Sequence, residues 1–468
     1  MKRLLLNLIL IGVTLTTTKA QARPNILFIL IDDIGYGDIS AHGHPWLNTP
    51  NLDRLHDQSV RMTDFMVSPT CAPTRAALMT GAHEFQAGVT HTIPPMRNMN
   101  RDMVTLPQVL ADAGYRTGMF GKWHLGIDDG HAPWDRGFHK AVIAGTDADR
   151  RAHMLAVDPV FSFNGKRRDM RGPRERLFAE EAMRFMAEER DEPFFCYLST
   201  HDPHKAYWAA YRYELEMERQ VAAARNAGIL GVSDRRLPFF SEILQLDSII
   251  GRVLDFLEEQ SLDENTLVIL MSDNGGTDGV DAHNANMRGH KATAWIGGTR
   301  AIAFWRLPGI LEARELDEPY AHIDLLPTLA EVAGATLDTR TRAQIEGRSA
   351  WGMLTGASHQ WPNRTLFAHV ARWNPGNREK HRHEGAMARF GKFDLVRIAT
   401  ASRSPAYTSN PEFHRAATPN GAWALYDRHA DPRQEHDISA DHPELVERLT
   451  AEFDHWWDAS TQHLIHEP

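Results

Sequence analysis

Asn25-Ile-Leu-Phe-Ile-Leu-Ile31 is an unbroken apolar run that halts abruptly at Asp32-Asp33. A strand buried on both faces of a sheet reads this way, and its polar stop marks the carboxyl end, where parallel sheets deliver side chains to a site. Thr266-Leu-Val-Ile-Leu-Met271 repeats the pattern and halts at Ser272-Asp273-Asn274-Gly275. Between the two runs the period changes. Thr49-Pro50 supplies an N-cap and a first-turn proline for a short helix through Leu52 and Leu55. Thr105 precedes a helix carrying Leu106, Val109 and Leu110, closed by Gly114. Arg116 to Phe120 predicts the next strand, and helical character over Glu175 to Arg190 leads into another at Phe194 to Ser199. Ile243, Leu246, Ile250, Val253, Leu254 and Leu257 recur at three- and four-residue steps, which predicts an amphipathic helix. Strand–helix alternation of this kind predicts an α/β sheet with helices on both faces.

After Gly347 to Gly356 the pattern shifts to short strands, at Thr365–Val370, Phe393–Ile398 and Trp423–Tyr426, with a final helix from about Pro443 to Trp457. The expected division is a main α/β domain over residues 23–356 and a smaller α+β domain over 357–468. At the other end, Lys2 and Arg3, the apolar run Leu4 to Val13 and the small-x-small triplet Ala20-Gln21-Ala22 have the plan of a signal peptide over residues 1–22. That run is too short to span a bilayer, and no later stretch is long and apolar enough. The expectation is an exported protein, periplasmic or secreted from a bacterium, with no membrane anchor.

Composition adds exclusions. With 42% hydrophobic and 24% charged residues in 468, the chain has an ordinary globular make-up and room for a large core. A net charge of −10 leaves no global basic field, so nucleic acid is not an expected partner. The basic runs Lys166 to Arg168 and Arg378 to Arg382 read as solvated loops. Two cysteines are too few for a disulfide scaffold in a chain of this size. Cys196, inside Pro193-Phe-Phe-Cys-Tyr-Leu198, reads as a small core hydrophobe, although a Cys71–Cys196 disulfide stays open at this level.

The chemistry gathers at the strand ends. A single Asp after a strand reads as a cap or turn residue. Two matched pairs, Asp32-Asp33 and Asp273-Asn274, instead present three carboxylates and an amide at one sheet edge, a set suited to a hard cation, Ca²⁺ or Mg²⁺. The thiolate and imidazole spacing of a zinc site is absent. Between the pairs lies Ser68-Pro-Thr-Cys71-Ala-Pro73-Thr-Arg75-Ala-Ala-Leu-Met-Thr80-Gly81. Pro73 in the first turn of a helix sets Cys71 at its amide-rich end, a natural anion site, and Arg75 adds a permanently charged fork. On this chemistry alone Cys71 is either an activated thiol or an inert structural one.

Cys71-x-Pro73-x-Arg75, with Thr80-Gly81 downstream, resembles the signature of the type I, formylglycine-dependent sulfatases of the alkaline-phosphatase-like superfamily, and the chain resembles bacterial exported arylsulfatases and polysaccharide sulfatases. Thr74 stands where serine is commoner. Gly118-Met-Phe-Gly121-Lys122-Trp123-His124-Leu125-Gly126 is similar to the family's Gly-Lys-Trp-His-Leu-Gly segment, and His201-Asp-Pro-His204 to its Pro-His element. Lys291 ahead of Trp295 to Arg300 is similar to a lysine-bearing stretch, with Ile296 where glutamate is usual. Leu425-Tyr426-Asp427 through Asp431-Pro432 is similar to an element of the family's C-terminal domain.

The resemblance implies an α/β, alkaline-phosphatase-like fold, a large mixed sheet flanked by helices with a smaller C-terminal α+β domain. It implies hydrolysis of a sulfated carbohydrate or an aryl sulfate. A separate formylglycine-generating enzyme would oxidise Cys71 to 3-oxoalanine, whose hydrate is the nucleophile. One divalent cation, Ca²⁺ or alternatively Mg²⁺, would be held by Asp32, Asp33, Asp273, Asn274 and position 71. The implied catalytic set is Cys71, Arg75, Lys122, His124, His204 and Lys291. Lys122 binds sulfate and holds the formylglycine, His124 bonds its hydrate, and His204 with Lys291 serves the leaving oxygen. His201 is a second candidate for His204's place. The expected pocket lining is Gly88–Arg101, Arg150–Arg171, Trp208–Arg235 and Arg372–His383. Two other functions fit the sequence less well. A phosphomonoester or phosphonate monoester hydrolase on this fold usually wants a second Asp/His metal cluster, and an inactive sulfated-glycan binder would not keep every catalytic position filled.

Overall fold

The computed structural model describes residues 23–464 apart from 129, 145–154, 190, 230–232, 374–375, 401–406 and 463, so the signal-like segment 1–22 lies outside the described residues. The strands are β1 (Asn25–Ile31), β2 (Val60–Met62), β3 (Phe65–Met66), β4 (Arg116–Gly121), β5 (Lys140–Ala144), β6 (Val160–Phe163), β7 (Lys166–Asp169), β8 (Phe194–Ser199), β9 (Thr266–Ser272), β10 (Ala303–Arg306), β11 (Arg314–Leu316), β12 (Tyr320–Ala321), β13 (Thr365–His369), β14 (Ala386–Phe390), β15 (Phe393–Arg397) and β16 (Ala424–Asp427). Ten of them form one mixed sheet in the order β11-β2-β10-β9-β1-β8-β4-β5-β6-β7. Its centre, β9-β1-β8-β4-β5, is parallel. Outside that centre, β10 runs antiparallel to β9, β6 to β5 and β7 to β6.

The continuous apolar runs follow from this position. Ile26, Phe28 and Leu30 of β1 enter the core on one face, Leu27, Ile29 and Ile31 the core on the other. With both faces covered, neither set of alternating positions has reason to be polar. Helix α1 (Pro50–Asp57), α4 (Arg174–Met186) and α6 (Leu237–Glu259) pack on the second face, α2 (Cys71–Thr80) and α3 (Leu106–Asp112) on the first. The stripe Ile243 to Leu257 is the buried face of α6. Thr105 forms a capping box with Gln108 ahead of α3.

The basic run Lys166 to Arg168, expected as a loop, is the edge strand β7 instead. All of its residues are exposed, so no apolar alternation marks it, and charge on an edge strand discourages pairing with another chain. A second, four-stranded antiparallel sheet, β13-β14-β15-β16, carries the helix Pro443–Thr461 through Leu449, Phe453, Trp456 and Trp457. Its other face shares a core with Met66, Ala77 of α2 and Trp295. The small sheet therefore backs the helix that begins at Cys71. Both cysteines are free, and Cys196 lies in the core. Among the described residues no helix is long and apolar enough to cross a membrane.

Candidate active site

Strands β1 and β9 run parallel with Ile31 opposite Ser272. The next two residues of each strand, Asp32-Asp33 and Asp273-Asn274, therefore leave the sheet side by side, and all four are buried. The Asp33 N–H donates to Asp273 Oδ1 at 3.3 Å, and Asn274 Nδ2 donates to Asp33 Oδ1 at 3.0 Å. Asp33 adopts φ 68°, a region that non-glycine residues rarely occupy and that tends to be kept at working sites.

Cys71 is the first residue of α2, after the extended Thr70. Its Sγ and one oxygen each of Asp32 and Asp273 lie within 4.8 Å of one another. Arg75 stands one turn further along the same helix face. Its Nε and Nη2 donate to Asp273 Oδ2 at 3.0 and 2.7 Å, and its Nη1 to the Lys122 carbonyl at 2.9 Å and to Ser199 Oγ. The fork expected to face an oxyanion thus grips Asp273. Lys122 follows β4, and its ammonium donates to Asp32 Oδ2. Lys291 donates to Asp33 Oδ1, and the next residue, Ala292, donates its N–H to the Pro69 carbonyl at 2.7 Å, two residues before Cys71.

His124 lies 3.5 Å from Cys71 Sγ through Nδ1, and its Nε2 is 2.9 Å from the Thr92 carbonyl. A carbonyl can only accept, so Nε2 carries the proton and Nδ1 turns a lone pair toward position 71. Burial, with Lys122, Arg97 and Arg75 nearby, holds the imidazolium well below its ordinary range, so the ring is neutral. His204 stands at the mouth, its side chain 42% exposed and its Nε2 3.8 Å from Asp33 Oδ2. His201 faces the same cavity, stacked on Phe178 with Nδ1 3.7 Å from Glu175 Oε1.

Burial alone raises each carboxyl at this site. Lys122, with His204, Arg75 and Lys291, overcomes it and holds Asp32 well below the usual carboxylate range; Lys291 and His204 hold Asp33 down likewise. Asp273 goes the other way, pushed well up by burial and the adjacent Asp32 charge in spite of Arg75. Cys71 resists burial too, drawn below the ordinary thiol range by Lys122 and Lys291. Asp32 Oδ1 and Asn274 Oδ1 are buried without a hydrogen-bond partner. Oxygen donors from two strand ends, two of them orphaned, fit a hard divalent cation, and the sulfur of Cys71 is the one soft atom in that set.

A cavity of about 650 Å³ opens over Cys71, Asp32, Lys122, His124, His204 and Lys291. Of the expected lining segments, Thr92 to Arg97 and Arg372 contribute. Trp208–Arg235 contributes nothing among the described residues, because its helix α5 (Tyr211–Asn226) packs on α6 instead. The described part of Arg150–Arg171 contributes nothing either, since it forms the hairpin β6–β7. Sequence reasoning missed Ile143, Arg174, Lys205 and Tyr407. Lys205 beside His204 carried a hint; Tyr407 belongs to no motif and reaches the cavity only through the fold.

A family model described as Sulfatase matches residues 24–335. Arylsulfatase A of Homo sapiens is 30% identical over 92% of this chain and 87% of its own length. The N-acetylgalactosamine-6-O-sulfatase of Bacteroides thetaiotaomicron is 26% identical over 92% of each chain. The crystal structure of Ps i-CgsB in complex with k-i-k-neocarrahexaose superposes with a TM-score of 0.78 at 23% identity, covering 95% of both chains, a likeness of fold.

Proposed function

The chain belongs to the sulfatase family, with its alkaline-phosphatase-like fold, and is a sulfuric ester hydrolase; from that premise we propose that it removes sulfate from a sulfated saccharide, using an oxidised Cys71 and one divalent cation. The observation that carries this reading is the convergence of Asp32 and Asp273 on a single sulfur atom at a helix start, with Asp33 and Asn274 buried beside them and hydrogen-bonded into the same cluster. An all-oxygen hard-cation set with one soft atom becomes self-consistent once that atom's side chain is converted to an oxygen-bearing one. The names of the glycan-directed relatives support the saccharide class.

Asp32, Asp33, Asp273 and Asn274 would hold a Ca²⁺ ion, or alternatively Mg²⁺, which would supply a Lewis acid against the sulfate charge. A formylglycine-generating enzyme would convert Cys71 in a two-electron oxidation that consumes an external oxidant such as dioxygen and expels the sulfur, and the resulting hydrated aldehyde would offer one hydroxyl to attack and a second that permits sulfate release. The remaining work falls to side chains of this chain. Lys122 and Lys291 hold positive charge beside the sulfate oxygens in a site shielded from water. His124, neutral and with its Nδ1 lone pair toward position 71, takes a proton from that side chain. His204 delivers a proton to the leaving ester oxygen from the cavity mouth, assisted by Lys291. Arg75 ties Asp273 to the Lys122 carbonyl and so fixes two parts of the site at once. Residues 1–22 direct export to the periplasm or beyond, 23–356 carry the catalytic and metal-binding side chains, and 357–468 form the second domain.

Mass spectrometry of the peptide bearing residue 71, from enzyme made in its native host, tests the nucleophile. The expected mass has oxygen in place of sulfur and two fewer hydrogens. The same enzyme is expected to hydrolyse N-acetylgalactosamine 6-sulfate or p-nitrophenyl sulfate faster than p-nitrophenyl phosphate, and Cys71→Ala to lose at least about 10³-fold in kcat/KM while still folding. Active enzyme with only cysteine at position 71, or a preference for the phosphate ester, overturns the reading.

A further inference from the structure

The cavity above Cys71 carries more positive charge than one sulfate ester requires. Arg174 and Lys205 line it, but each is held by an acid: Arg174 by Glu175 and Asp202 at 2.8 and 2.7 Å, Lys205 by Asp278 at 2.9 Å. Arg372 lines it as well, and among the described residues its guanidinium forms no ion pair; its Nε is buried without a hydrogen-bond partner.

The backbone that carries Arg372 is built to hold it there. Ala371 and Arg372 adopt φ 55° and 70°, two consecutive non-glycine residues in the left-handed region. Such a conformation persists only where the surroundings over-determine it. Here the Arg372 N–H donates to the Thr90 carbonyl at 3.0 Å, and Trp373 is buried against Phe85 and Trp457, with ring centroids 5.3 Å away in each case. The segment is thus anchored on both sides of a side chain whose charged end meets no acid among the described residues. Arg97, on the Thr92–Arg97 segment, lines the same cavity and stands near enough to His124 to oppose its protonation. A rigidly carried guanidinium suits a planar or tetrahedral oxyanion.

We propose that Arg372, with Arg97 adding charge, forms a subsite for a second anionic substituent of the substrate, a sulfate ester or a carboxylate distinct from the sulfate being cleaved. The substrate is then a polyanionic saccharide, an inference that rests on the saccharide reading above. The test uses full-length Cys71→Ala protein, which binds without turning over. Calorimetric titration compares N-acetylgalactosamine 6-sulfate with two dianionic probes, N-acetylgalactosamine 4,6-disulfate and the glucuronate-linked disaccharide of N-acetylgalactosamine 6-sulfate. At least one dianionic probe is expected to bind about tenfold or more tightly than the monoanion, and which one it is separates a second sulfate from a carboxylate. Adding Arg372→Gln is expected to bring that ratio to within about threefold of one, and Arg372→Lys, which keeps the charge without the fork, to an intermediate value. A ratio near one before the substitution, including no measurable binding of any probe, overturns the proposal, as does a ratio that Arg372→Gln leaves intact. Dianionic preference in an enzyme that cleaves none of the three probes would keep the subsite and sink the saccharide hydrolase reading, so the two failures are distinguishable.

Discussion

Asp32 and Asp273 leave neighbouring strands side by side, yet their carboxyls are driven in opposite directions. Asp32 has the Lys122 ammonium on it and ionises easily, while Asp273 is buried against the charge that Asp32 already carries. Asp38 shows burial with far less compensation. Its Oδ2 accepts the Gly35 N–H at 2.7 Å, its Oδ1 has no partner, and burial pushes the carboxyl up to about 7 against the pull of that one bond. A folded-state value above the unfolded one means that the folded protein prefers the protonated form. The stability this contributes is fully present below the unfolded value of 3.8 and is lost as pH rises through about 7. Asp38→Asn removes the charge and keeps the shape, so its melting temperature relative to the parent should climb between pH 5 and 8, by the equivalent of roughly 1–3 kcal/mol. A difference that stays flat across the pH scan contradicts this account. Nothing around Asp38 in the sequence marks it out, since burial is a property of the fold.

The site is assembled where elements end, and one close approach between elements governs Lys122. Gly121 ends β4 at φ 117°, and a Cβ there would lie 1.8 Å from the Ser199 carbonyl oxygen. That carbonyl accepts the Lys122 N–H at 2.8 Å, so the same contact that forbids a side chain aims the lysine. Gly121→Ala is therefore expected to cost about 2–4 kcal/mol of stability and to lower kcat/KM as Lys122 is displaced. Thermal unfolding and kinetics on one preparation check both, and a variant with parental values in each refutes the argument. The glycine was legible within Gly121-Lys122-Trp123-His124, but its reason was not, because Ser199 belongs to a strand distant in sequence. Strands β1, β8 and β9 were readable end to end because covered faces leave uniform apolar runs. The exposed β7 carried no such signal, and neither did the short strand β14, whose apolar run is broken by the buried Arg389.

For the molecule as a whole, two sets of buried charge are decisive. Asp64, between β2 and β3, accepts from Arg389 of β14 at 2.9 Å and from Arg428, and all three are buried. Asp64→Ala leaves the two buried guanidiniums, both on the small-sheet side of the join, with Asp394 as their remaining carboxylate partner, an expected loss of about 3–5 kcal/mol in chemical denaturation. A loss below about 1 kcal/mol would show that the join is held by apolar packing alone. The second set is Asp32, Asp33 and Asp273. A divalent cation bound there would offset the burial and the Asp32 repulsion that push Asp273 up, so dialysis against a chelator should lower the melting temperature, and Ca²⁺ or Mg²⁺ should restore it. At 100 times its dissociation constant the ion contributes about 2.7 kcal/mol. A melting temperature indifferent to chelator and to both ions removes the cation from the site.

The primary sequence on its own determined the α/β alternation, the two acid-bearing strand ends, the helix that begins at Cys71 and the family to which these motifs belong. Each is local: a run of side chains against a covered sheet face, a proline in a first turn, a short motif. Tertiary structure alone decided that Arg75 grips Asp273, that His124 turns its Nδ1 lone pair to position 71, and that Arg174 and Tyr407 face the same cavity. Those relations join segments far apart in the chain. Only packing brings them within hydrogen-bond reach, because hydrogen bonds and buried charges depend on distance and no local pattern encodes it.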